Sequence, residues 1–336
     1  MTLPVSIPVN PALERSTLAD GRARFREIVD TIIAERGKNL PDARSTDDFF
    51  YALPDEDLGT NRPVNLQQDL NGVRIVVVPG YLTECVAPLV DCLTDGLAHL
   101  NGLGARTSIA QVAGRGSCAH NANLLRNHIL DTAQTDDKAT ILIPMSKGAP
   151  DTLEMLQMFP DMADHIDAIV SLVGCVGGSP LKYMAPGWLK WVERNLPMPN
   201  CARHNGDAVV SLSPDTRTAF LKQFNMPASI KTYSIGAIAR EDMVSKGLIT
   251  SYRALCKYDN QTGHLNDAQM MFADQFLPNA TFLGALNCDH IATAMPVNRS
   301  QHWFVKLVAR LAIDKAAFPR EVLVEAIIRQ VLEDLD

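Results

Sequence analysis

From residue 73 onward the chain alternates short apolar, often β-branched runs with stretches of helical periodicity. The strongest run is Val73-Arg74-Ile75-Val76-Val77-Val78, ended by Pro79-Gly80. Thr107-Ser108-Ile109-Ala110-Gln111-Val112, Ala139-Thr140-Ile141-Leu142-Ile143 and residues 166–173, 230–238 and 281–286 repeat the pattern. Between them, the stretch holding Val90, Leu93, Leu97 and Leu100, then Asn121 to Ile129, then Thr152 to Phe159 read as helices. Strands that are apolar along their length need cover on both faces, and helices that alternate with them supply it. The expectation is an α/β fold with a mostly parallel central sheet and helices on both faces.

Two segments fall outside this alternation. A helix with Phe25, Ile28, Val29, Ile32 and Ile33 on one face is expected from about Leu18 to Arg36, stopped by Pro41. Residues 40–71, rich in Pro, Asp and Asn, then read as a long surface connection. Residues 1–71 are therefore expected to form an N-terminal helical extension and connection, and residues 72–336 the sheet domain. Residues 180–227 hold Tyr183, Met184, Trp188, Trp191 and several prolines, and are expected to be an inserted cap over the sheet's ligand edge. Within them Ser213-Pro214 is an N-cap and N1 pair for a helix through Phe220. In the last helix Leu323, Ile327, Val331 and Leu335 recur every fourth residue and read as a core stripe.

Charge and motifs exclude several classes of function. Lys plus Arg total 31 against 38 Asp plus Glu, for a net charge of -7, and no basic run offers a footprint for nucleic acid. No apolar stretch approaches the roughly 18 residues of a membrane span, and the first eight residues lack the basic and apolar regions of a secretory signal. Cys85, Cys92, Cys118, Cys175, Cys201, Cys256 and Cys288 contain no C-x-x-C pair and read as free thiols in a reducing cytoplasm. There is no H-E-x-x-H, no Cys/His spacing suited to zinc and no phosphate loop, and Gly102-Leu103-Gly104 lacks a third glycine, so neither metal nor cofactor is expected. Ser179-Pro180-Leu181-Lys182 matches S-x-x-K, but the K-T-G that accompanies it in penicillin-binding enzymes is absent.

In open parallel sheets chemistry sits at the carboxyl ends of the strands. After Ile143 comes Pro144-Met145-Ser146-Lys147-Gly148-Ala149-Pro150-Asp151: strand, one serine in a tight turn with glycine two positions on, then helix. Such a turn exposes the hydroxyl and aims free helix N–H groups at a developing oxyanion. Pro144 replaces the first glycine of G-x-S-x-G, and proline can take the extended conformation of a strand end. His290 follows the last strand directly, in Asn287-Cys288-Asp289-His290, which puts a general base at the same edge. Asp267 and Asp242 both follow the strand over residues 230–238, and spacing alone leaves them equal as the acid that orients the imidazole. A second oxyanion N–H, beside that of Lys147, would come from Tyr81 or Leu82, with Gly80 allowing the tight turn. Gly114-Arg115-Gly116-Ser117 reads as a polar loop near the site, and the i, i+4 spacing of Lys147 and Asp151 as a surface ion pair.

These segments resemble the α/β-hydrolase superfamily, and within it the bacterial lipase- and esterase-like serine hydrolases. The resemblance is carried by Val77 to Tyr81, by the elbow from Ile143 to Asp151, by Gly177-Gly178-Ser179-Pro180-Leu181, and by the span from Asn266-Asp267 to Asp289-His290, over most of residues 72–312. It favours Asp267 over Asp242 and implies acyl transfer to Ser146 followed by hydrolysis. The expected substrate is a small-molecule ester with an apolar group held by Gly80, Tyr183, Met184, Trp188 and Trp191. An acyltransferase, a thioesterase, a polyester depolymerase and a non-catalytic binding protein on the same scaffold are the alternatives, and a homo-oligomer is compatible with all of them.

Overall fold

The computed structural model describes residues 3, 6–57, 59–86, 91–184 and 207–336. Among them, β1 (Ala19–Asp20), β2 (Val73–Val78), β3 (Arg106–Ile109), β4 (Ala139–Pro144), β5 (Ala168–Leu172), β6 (Lys231–Ala237) and β7 (Thr281–Leu286) form one sheet. Their spatial order is β1-β7-β6-β5-β4-β2-β3, and every pairing is parallel. From β2 the chain first steps outward to β3, then crosses back to lay β4 on the other side of β2. That reversal opens a crevice beyond the carboxyl ends of β2 and β4, where a ligand has room.

The longer helices are α1 (Arg22–Arg36), α2 (Thr94–Gly102), α3 (Cys118–Asp131), α4 (Gly148–Met158), α5 (Pro214–Leu221), α6 (Ile249–Tyr258), α7 (Trp303–Leu311) and α8 (Arg320–Leu335). Successive strand residues point to opposite faces, so the sheet feeds two cores. Ile75, Val77, Ile141, Ile143, Val170 and Leu172 pack with Phe25 and Ile28 of α1, Leu97 and Leu100 of α2, and Leu323 and Ile327 of α8. Val76, Val78, Leu142, Ile169 and Phe282 pack with Leu125 and Ile129 of α3 and Leu153 and Leu156 of α4.

The expected boundary at residue 72 is not a packing boundary. Ala19 and Asp20, expected within a helix, instead pair with Thr281 and Phe282 of β7. The Asp20 carboxylate then accepts from the backbone N–H of Arg22, where α1 begins. Residues 40–71 are not a surface connection throughout: Phe49, Phe50, Leu66 and Leu70 are buried in the same core as α1 and α8, which takes their apolar side chains out of water. The third strand stops at Ile109 rather than Val112.

The last helix exceeds its expected stripe. Every residue from Arg320 to Val331 is buried, whereas Leu335 is exposed. Its buried charges are paired: Arg320 Nε donates to Asp95 at 2.7 Å, and Glu325 accepts from Arg36 at 2.6 Å and lies 2.7 Å from His99 Nε2. Within the insertion, Ser213 caps α5 through Thr216 as its spacing predicts, and the buried Arg217 donates to Val176 O at 3.1 Å, tying α5 to the loop after β5. Trp188 and Trp191, called as pocket residues, lie outside the described residues.

Candidate active site

The elbow after β4 is dictated by its small residues. Pro144 ends β4 in register with Val78, and Met145 bridges to Leu172. Ser146 then adopts φ 53°, a left-handed conformation that a side-chain-bearing residue takes only when its surroundings impose it. Gly148 starts α4 against β2 so closely that a Cβ there would lie 2.1 Å from Val78 O. At Gly80, a Cβ would lie 2.9 Å from the Ser146 Cβ. The turn therefore lifts the Ser146 hydroxyl out of the sheet while both backbones stay in close contact beneath it.

His290 Nε2 lies 2.9 Å from Ser146 Oγ, and His290 Nδ1 lies 2.7 Å from Asp267 Oδ2. Asp267 is fully buried, and His290 is 7% exposed. The other Asp267 oxygen accepts from the N–H groups of Gln269 and Met270 at 2.9 and 2.7 Å, so the carboxylate is held from two sides. Its backbone oxygen accepts from His290 N at 2.8 Å, which locks the two loops together. Asp289 pins the next turn by accepting from Ile291, Ala292 and Ser245 N–H groups, and burial raises its pKa. Asp242, by contrast, has a side chain 72% exposed and beside Arg240, and does not join the cluster.

The backbone N–H groups of Tyr81, Leu82 and Lys147 have no acceptor among the described residues. Leu82 has φ 61°, another left-handed side-chain-bearing residue at this edge. The Lys147–Asp151 pair departs from the expected surface position. Both residues are fully buried and Nζ lies 2.8 Å from each carboxylate oxygen, because α4 packs its first turn under the sheet edge rather than against solvent.

A cavity of about 290 Å³ opens at Ser146 and His290. Its described lining is mostly apolar, with Met145, Ile291, Met295, Val297, Phe304 and Ile313 joining Gly80, Tyr81 and Leu82. Tyr183 and Met184, called as pocket residues, do not line it: the Tyr183 hydroxyl donates to Asp215 at 2.6 Å and the residue is largely exposed. The lining that spacing missed comes from the chain just after His290. The available signal was α7, whose Trp303, Phe304, Leu307 and Leu311 form an apolar face that remains exposed.

Other candidate nucleophiles are disfavoured. Burial pushes the Cys118 and Cys288 thiols well above their usual range and Cys175 up to about 12, so they are inert near neutral pH. Cys85 is not the free thiol expected: it is disulfide-bonded, which sequence spacing does not reveal. No group of His, Cys, Asp and Glu among the described residues is arranged to hold a metal ion.

No protein-family model matches the chain, and no curated protein does. Among solved structures, the metagenomic carboxyl esterase MGS0156 is 34% identical, over 99% of this chain and 97% of its own, with a TM-score of 0.88. The mature Bacillus licheniformis lipase BlEst2 is 21% identical over 68% of this chain and 89% of its own, at a TM-score of 0.51. The Staphylococcus hyicus lipase is 10% identical over 81% of this chain and 99% of its own, at 0.54. The two lipases share the fold. The identity and near-complete coverage of the first place this chain in the carboxyl-esterase family of α/β-hydrolases.

Proposed function

We propose that this protein hydrolyses carboxylic esters through an acyl-enzyme on Ser146. The observation that carries the reading is the single imidazole that bridges a strained, half-buried serine and a buried carboxylate. An ionised carboxylate can only accept, so Asp267 holds the His290 proton on Nδ1 and leaves Nε2 free to take the serine proton. Ser146 Oγ attacks the ester carbonyl as its proton passes to Nε2. The oxyanion is received by the N–H of Lys147 and that of Tyr81 or Leu82, and the imidazolium returns the proton to the departing alcohol. Water repeats the sequence on the acyl-enzyme and releases the acid. The apolar cavity favours an ester with one hydrophobic group of modest size.

None of the described helices is long and apolar enough to cross a membrane. The expectation of a cytoplasmic setting is weakened by the Cys85 disulfide, since such bonds persist in oxidising compartments. Labelling with a fluorophosphonate, which reacts with an activated serine, tests the reading. Stoichiometric labelling of the wild type, lost in Ser146→Ala and His290→Ala, is expected. A folded wild type that does not label, or a Ser146→Ala protein that does, overturns it.

A further inference from the structure

Beneath the elbow lies an ionic cluster that the steps above do not use and that does not line the cavity. The buried Lys147 ammonium is clamped by Asp151, and Asp151 Oδ2 accepts from Asn121 Nδ2 at 2.7 Å. Asn121, on α3, is fully buried and holds one residue from both sides: Nδ2 also donates to Ala113 O at 3.0 Å, and Oδ1 accepts from Ala113 N at 3.0 Å. The next residue, Gly114, runs so close to the loop after β2 that an added Cβ would lie 2.8 Å from Leu82 N and 2.9 Å from Leu82 Cα. A continuous path therefore leads from Lys147 through Asp151 and Asn121 to Ala113, and from Gly114 onto Leu82. It begins and ends on the two segments that present the candidate oxyanion N–H groups.

A buried ion pair gives little net stability, because desolvation offsets the attraction, and apolar side chains of similar volume commonly serve a core as well. An oxyanion hole has a different requirement. Its donors must stand in place before the charge forms, since reorganisation during reaction forfeits the stabilisation. The left-handed backbone of Leu82 also persists only where neighbours over-determine it, and Gly114 is one neighbour packed against that backbone.

We propose that Asn121, acting with the buried Lys147–Asp151 pair, is a positioning residue that holds the N–H groups of Lys147 and Leu82 at one fixed separation for the tetrahedral oxyanion. The inference rests on the Ser146 hydrolase reading and selects Leu82 over Tyr81 as the second donor. It acts through the backbone, so Asn121 touches neither substrate nor the reacting atoms.

The test compares wild type, Asn121→Ala and the double variant Lys147→Met/Asp151→Leu on p-nitrophenyl butyrate. Active-site concentration is set by fluorophosphonate titration, and affinity is measured for a trifluoromethyl ketone, which forms a tetrahedral adduct with serine, and for the product butyrate. Asn121→Ala should lose about 10- to 100-fold in kcat with KM within about threefold, less than the outright loss of an oxyanion donor. Ketone affinity should fall by about the same factor as kcat/KM, while butyrate affinity holds. Retention of kcat within about twofold, or a fall in kcat with unchanged ketone affinity, overturns the proposal. If Asn121→Ala does not fold, the double variant decides, because it removes both charges and leaves the Lys147 backbone N–H in place. Loss of kcat with weakened ketone binding there supports the proposal, and full kcat overturns it. A folded wild type that fails to label at Ser146 removes the hydrolase reading itself, and the positioning role with it.

Discussion

Gly148→Ala is the smallest perturbation that should separate the elbow's geometry from the fold's stability. The added Cβ would stand 2.1 Å from Val78 O, 2.9 Å from Val78 C and 3.2 Å from Pro79 O, all backbone atoms that no rotamer change can clear. Real Cβ atoms keep at least 3.0 Å from their neighbours, so the start of α4 must retreat from β2 by about 1 Å. Overpacking of this kind costs about 1–3 kcal/mol. Replacing glycine by alanine inside a helix returns up to about 1 kcal/mol. With that gain subtracted in full, the net loss of about 0–2 kcal/mol should lower the unfolding temperature by at most a few degrees. Catalysis should suffer far more, because Ser146 and the Lys147 N–H ride on the displaced segment, and a 1 Å misplacement costs about 100-fold in rate. Stopped-flow fluorophosphonate labelling reads the rate and differential scanning fluorimetry the stability. Gly102→Ala, where nothing lies within 4 Å of the new Cβ, is the matched control and should leave the labelling rate unchanged. A Gly148→Ala protein labelled as fast as wild type, at an unchanged unfolding temperature, would refute the account of the turn.

Two further outcomes can be checked directly. Asp267→Asn should lower kcat by roughly three to four orders of magnitude, since an amide in that place can reverse the imidazole tautomer, whereas Asp242→Asn should leave steady-state rates intact; equal effects would contradict the assignment of the acid. Burial pushes the Asp274 carboxyl up to about 6, against the lowering effect of its hydrogen bond from Asn10. Its contribution to stability is therefore full below the unfolded value of 3.8 and lost as pH rises through about 6. Asp274→Asn keeps an acceptor for Asn10 and does not ionise, so in urea unfolding it should match wild type below pH 4 and exceed it by at most about 3 kcal/mol above pH 6. A difference that stays constant across that range would contradict the burial argument.

The strands and the serine–histidine order were legible because each depends on local chemistry. Val73–Val78 and Thr281–Leu286 fall on the expected runs, and Ser146 and His290 stand where polar residues interrupt apolar strands at their carboxyl ends. What sequence hid is what distant contacts decide. Lys147 and Asp151 have the spacing of a solvated helix pair, and they are buried by distant packing, with α4 against β2 at Gly148 and Asn121 of α3 against Asp151. Ile291, Met295 and Ile313 look like core residues, because a cavity lining and a core share one composition and differ only in what is packed opposite. The Asp267–Asp242 choice had no answer in spacing, since both follow β6; in the fold Asp267 is buried beside His290 and Asp242 is exposed.

The outer edge of β7 has one further consequence. Ala19 and Gly21 donate to Ala280 and Phe282 oxygens at 3.0 and 2.9 Å along its first half, while Tyr51 donates to Ala285 O at 2.8 Å along its second. Two short pieces of the first 71 residues thus occupy the hydrogen-bonding groups that an open strand would offer to any other extended chain. Trimming the protein at residue 72 would uncover an apolar strand edge in the crowded setting of synthesis, and self-association rather than a smaller hydrolase is the expected result.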